Sequence, residues 1–111
     1  MRRTRDEQDA AATFGERYGR AASDATRELE RLVIGGDFGA NGYTTVAQAD
    51  LMAEWLGLRE GHRLLDVGSG RGWPGLYLAT TVGCTVVLTD LPEQGLRIAQ
   101  DRAAVEGIAE R

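Results

Sequence analysis

Leu64-Leu65-Asp66-Val67-Gly68-Ser69-Gly70-Arg71-Gly72-Trp73-Pro74-Gly75 runs from an apolar segment straight into glycine-dense text. His62 to Val67 (HRLLDV) is short and apolar enough to be a strand, and Gly68, Gly70 and Gly72 follow it at alternate positions. Glycine reaches backbone angles closed to other residues and lets a ligand lie against the main chain with no side chain between. A second run, Cys84 to Thr89 (CTVVLT), is rich in β-branched residues. Both runs are predicted as buried strands. Pro74 to Val82 (PGLYLATTV), between them, predicts a short helix that begins at a proline. Pro92 to Glu106 predicts another, with Leu96, Ala99, Ala103 and Val105 near helical spacing and Gly107 as its stop. Strand, helix, strand, helix in that order implies parallel strands joined by a right-handed crossover, hence an α/β layered fold.

A glycine turn at the carboxyl end of a strand is where open α/β sheets bind ligands. Asp90 ends the second predicted strand, twenty residues after Gly70. A carboxylate there can accept two hydrogen bonds from a ribose diol. Gly70, Gly72 and Gly75 also satisfy G-x-G-x-x-G, so the glycines alone admit a dinucleotide such as NAD or FAD. Asp66, two residues before the first glycine, weighs the other way. It would repel a pyrophosphate but suit a cationic or amino-bearing ligand, which favours S-adenosylmethionine.

Asp66-Val67-Gly68-Ser69-Gly70-Arg71-Gly72 resembles the (D/E)-x-G-x-G-x-G motif of class I S-adenosylmethionine-dependent methyltransferases, and the similarity covers about residues 46–107. The resemblance implies a Rossmann-like fold in which Asp66, Gly68, Ser69 and Gly70 line the methionine part of the cofactor and Gly72 is a further cofactor-binding residue of the same turn. It further implies that Asp90 holds the ribose hydroxyls and that Leu91 packs near the adenine. A seven-stranded family sheet would be represented here by its N-terminal half, a helical N-terminus plus the first two parallel strands. The chain is accordingly expected to be part of a longer enzyme, inactive alone, with no nameable catalytic residue and an acceptor left open. Two alternatives are an NAD(P)-dependent oxidoreductase fragment and a non-catalytic module that self-associates through the unpaired edge of its first strand.

Residues 1–45 divide from 46–111 as an N-terminal helix and glycine-rich loop preceding the partial cofactor domain. From Asp6 to Val33 there is no proline, and Phe14, Tyr18, Ala22 (or Ala21), Ala25, Leu29 and Leu32 recur at helical steps, predicting a helix whose Phe and Leu stripe packs on a core. Gly35 to Thr45 (GGDFGANGYTT) is a loop, and Asn41, Gly42, Tyr43, Thr44 and Thr45 fall where similar methyltransferases often close over the cofactor. Thr45 with Gln48 makes a capping-box pattern for a helix of about eleven residues ending at Gly57, with Val46, Ala49, Leu51, Met52, Trp55 and Leu56 as its apolar face.

The 111 residues, 42% hydrophobic, 27% charged and 6% aromatic, suit one globular domain or part of one. A net charge of -4 argues against a general affinity for nucleic acid or anionic membranes. One cysteine, Cys84, permits no internal disulfide and fits a cytoplasmic setting, and no run reaches the length of a spanning helix or an export signal. Cys84 reads as a small core residue, His62 as a surface or edge residue, Trp73 as a cover for the helix start, and no metal site is expected.

Overall fold

The computed structural model describes residues 2–19, 23–40 and 42–109. Its elements, in chain order, are α1 (Arg5–Gly19), α2 (Asp24–Val33), α3 (Val46–Leu56), β1 (Arg63–Val67), α4 (Gly75–Val82), β2 (Thr85–Thr89) and α5 (Glu93–Val105). β1 and β2 pair in parallel, with Arg63 opposite Thr85 and Val67 opposite Thr89. The β1–α4–β2–α5 order is that of an α/β layered unit. None of the described helices is long and apolar enough to cross a membrane.

Local chemistry explains most element ends. Thr45 accepts from the Gln48 amide at 3.1 Å while Gln48 Oε1 accepts from the Thr45 amide at 3.0 Å, a reciprocal cap at the start of α3. Gly57 closes that helix with φ 61°, a left-handed conformation natural to glycine. Thr4 and Glu7 form the same reciprocal pair ahead of α1.

Two layers of core meet at α4. On one side Leu76 and Ala79 join Ala99, Ala103 and Ile108, with Val86 and Leu88 of β2 against them. On the other, Leu78 joins Ile34, Ala49 and Trp73, with Phe38, Met52, Leu64 and Tyr77 packed around. Cys84 is fully buried, its Sγ donating weakly toward the Leu78 carbonyl, and His62 is half-buried beside Arg59, whose Nε donates to its Nε2.

Four expectations are corrected here. The stretch from Asp6 to Val33 is two helices, because Ser23 caps a fresh start by accepting from the Thr26 amide at 3.1 Å. Ala21 and Ala22 of the expected stripe lie outside the described residues. The stripe itself does not enter a core. Leu29 and Leu32 are 61% and 76% exposed, and Gly15 is the one buried residue of α1. The strands are also buried on one face only. Leu64, Asp66, Val86 and Leu88 turn toward the helices, whereas Leu65, Val67 and Val87 are exposed, because α4 and α5 both pack on the same side. Leu51, Trp55 and Leu56 of α3 and Val105 of α5, expected on apolar faces, are likewise exposed.

Candidate functional site

The turn after β1 is held by its own amides, which donate to a strand-end carbonyl and to carboxylates on either side. Gly68 and Ser69 both donate their amides to the Thr89 carbonyl, at 2.8 and 2.9 Å, so the turn is sewn to the end of β2. Gly70 N–H donates to Asp90 Oδ2 at 2.7 Å, and Leu91 N–H donates to Asp90 Oδ1 at 2.8 Å. Asp90 therefore stands at the junction of both strand ends. A carboxylate offers about four lone-pair positions, so these two bonds leave acceptor capacity for a diol.

Gly68 has φ 72°, and a Cβ added there would meet open space. That is the surface against which a ligand can lie with no side chain intervening. Ser69 is 2% exposed and its Oγ donates to the Thr89 carbonyl at 3.3 Å, so its hydroxyl braces the strand ends. Gly72 is buried, and its missing Cβ would collide with Leu76 and crowd Ala99, so it serves packing on the helix side. Leu91 remains partly exposed beside Asp90.

Asp66 acts on the helix that follows. Its Oδ2 accepts from the Gly75 amide at 3.1 Å, satisfying the first amide of α4 and complementing the positive helix end. Leu76 N–H donates to the Gly72 carbonyl at 2.8 Å, and Pro74 has no amide to offer. Burial pushes the Asp66 carboxyl above the usual carboxylate range, the Gly75 bond opposes this, and the Asp90 charge adds to the rise. The two acids thus feel each other across the turn. Any cation placed near them is stabilised, and any further anion is penalised.

Residues not singled out in the sequence complete the surroundings. Gly95 opens α5 beneath the turn, and a Cβ on it would stand 2.8 Å from the Gly70 carbonyl carbon and closer still to its oxygen. Arg71 reaches the end of α1, its Nε donating to the Tyr18 carbonyl at 2.7 Å. Glu30 accepts from the amides of Phe38 and Ala40, and Arg102 Nη2 donates to the Asp37 carbonyl at 2.6 Å, which fixes the loop after α2. A lone glycine inside a helical pattern was the available signal for Gly95, since it costs helix stability unless packing demands it. The other contacts join residues far apart in the chain and leave no local trace.

Trp73 is a core residue: its ring stacks on Phe38 at 4.2 Å and its Nε1 donates to the Thr44 carbonyl at 2.8 Å. Tyr43 is 83% exposed, and Asn41 lies outside the described residues.

Comparison with known proteins places the chain beside methyltransferases. It is 40% identical over 58 residues to "Methyltransferase GfsG" of Streptomyces halstedii, a match covering 52% of this chain and 21% of that protein. It is 36% identical over 67 residues to "27-O-demethylrifamycin SV methyltransferase" of Amycolatopsis mediterranei (strain S699), covering 60% of this chain and 25% of that one. The chain thus spans a fifth to a quarter of the length of these relatives. No family model matches it. Partial similarity to two methyltransferases, together with helices around two parallel strands, supports a methyltransferase relationship on an α/β frame.

Proposed function

We propose that this chain forms the S-adenosylmethionine-binding part of a methyltransferase of class I, Rossmann-like architecture, with Gly68 to Gly70 holding the methionine end and Asp90 the ribose diol. The observation that carries the choice is the state of the α4 N-terminus. A dinucleotide pyrophosphate would be met there by free helix amides. In this chain the Gly75 amide is already committed to Asp66, the Leu76 amide to the Gly72 carbonyl, and Pro74 has none. With that end satisfied by a carboxylate, and a second carboxylate at residue 90, the turn favours a ligand bearing positive charge.

When bound, the cofactor supplies a methyl group activated on a positively charged sulfur. The contribution of this chain is to hold and orient it: Asp90 accepts hydroxyl protons in hydrogen bonds, the open face at Gly68 admits the ligand against the backbone, and the two acids offset cationic charge. We assign to this chain the cofactor half of the reaction only. The acceptor is not assigned.

Parallel calorimetric titrations of S-adenosylhomocysteine and NAD into the full chain test the choice. Binding of the first with no heat from the second is expected, and Gly70→Val abolishes it by placing a β-branched side chain on a residue at φ 55°. Binding of NAD alone overturns the assignment.

A further inference from the structure

A cavity of about 180 Å³ lies between α4, the end of α5 and the loop at Phe38. Its walls are aromatic and its mouth is polar. Phe38 stacks on Trp73 with ring centroids 4.2 Å apart, and Tyr77 completes the group at 5.3 Å from Trp73 and 5.5 Å from Phe38. Buried Leu76 adds an aliphatic surface. Asp66, Gly68 and Asp90 do not line this cavity, which meets the glycine turn only at Gly72. It is a second site, separate from the open face at Gly68.

The volume selects the size of an occupant. An apolar cavity of about 150 Å³ takes one benzene ring, so this one suits a single ring with one small substituent. The polar atoms select the substituent. Thr80 Oγ1 donates its proton to the Leu76 carbonyl at 3.0 Å, and Tyr77 Oη donates to Asp50 Oδ1 at 2.6 Å. Arg102 commits Nε to Glu106 Oε1 at 3.4 Å and Nη2 to the Asp37 carbonyl at 2.6 Å. What the mouth offers beyond these bonds is acceptor capacity, on Thr80 Oγ1 and on the Glu106 carboxylate, of whose lone-pair positions Arg102 uses one. The Arg102 and Glu106 charges offset each other. An uncharged ring carrying a hydrogen-bond donor matches all three features.

We propose that this cavity binds a small uncharged phenol, its ring packed on Trp73 and Tyr77 and its hydroxyl donating to the Glu106 carboxylate. The site stands independently of the cofactor assignment.

The two tryptophans supply the test. Trp73 Nε1–H is held on the Thr44 carbonyl at 2.8 Å in the cavity wall, whereas Trp55 is 76% exposed on α3. Titration of phenol into the full isotope-labelled chain, followed by NMR, is expected to move the Trp73 indole N–H resonance saturably and to leave that of Trp55 in place. Fluorobenzene has nearly the same shape and no donor. It is expected to bind about tenfold more weakly, because it covers the carboxylate without pairing it. Glu106→Leu, at an exposed position, is expected to abolish that preference for phenol. A Trp73 response that does not saturate, equal shifts at both tryptophans, equal affinity of the wild-type chain for the two probes, or a preference that survives Glu106→Leu overturns the proposal.

Discussion

Two glycine-dense stretches, residues 35–40 and 68–75, look alike as text and are held in opposite ways. In the second, the amides bond to strand ends and to the acids at residues 66 and 90. In the first, Glu30 on α2 accepts from Phe38 and Ala40 while Arg102 on α5 donates to Asp37. The later stretch is therefore a rigid seam between strands, with an open face at Gly68. The earlier one is a loop pinned by side chains. Glycine density alone does not mark a ligand turn; the source of the partners does.

The largest expected effect comes from disturbing the seam from below. Gly95→Ala forces a methyl group into the Gly70 carbonyl, an overpacking that costs about 1–3 kcal/mol and is only partly offset by the better helix propensity of alanine. Denaturant unfolding and S-adenosylhomocysteine affinity should both fall, the latter about tenfold as the turn shifts, equivalent to about 1.4 kcal/mol. Glu30→Ala attacks the other stretch. It removes the acceptor for two loop amides and should cost about 2 kcal/mol by denaturant unfolding, with cofactor affinity little changed. Equal damage to affinity from both variants would erase the distinction between seam and loop.

Thr45→Ala, at the end of the loop side, deletes the cap of α3 and should cost about 1 kcal/mol in unfolding free energy. Asp66→Asn sharpens the seam by pH. Because the native carboxyl titrates above the unfolded value of 3.8, the native state binds more protons than the unfolded one between those two values. Wild-type stability from this group is full below the unfolded value and declines as pH rises through the native one. The asparagine variant, whose amide oxygen can still accept from Gly75, should lack that decline. Urea midpoints from pH 3 to 7 would show the gap opening as pH rises; a constant gap would contradict the assigned cause.

The parts of the molecule legible in the sequence are those settled by neighbours along the chain. Thr45, Gln48 and Gly57 bound α3 at the residues where caps are written, and Pro92 and Gly107 bracket α5. The parallel β1–α4–β2 unit followed from two β-rich runs around a short helix. Burial was harder, because an apolar run says that a strand can be covered on both faces and not that it is: Leu65 and Val67 show the difference. The single helix expected from Asp6 to Val33 failed at Ser23, where a cap interrupts a periodicity that continues across it. In the site, Asp66, the glycines and Asp90 do converge. Gly95, Tyr18 and the Arg71 tie arise from approaches between distant segments, which no local pattern encodes.

The central claim, that Asp90 receives the ribose diol of the cofactor beside the glycine turn, is tested most directly by a double-mutant cycle. Affinities of S-adenosylhomocysteine and its 3′-deoxy analogue would be measured for the wild-type chain and for Asp90→Asn. The variant also loses the acceptor for Gly70 N–H, and the cycle cancels that common loss. If the carboxylate holds the hydroxyl, removing the hydroxyl weakens binding to the wild type and has little further effect on the variant. Equal losses in both proteins would show that Asp90 and the ribose do not meet.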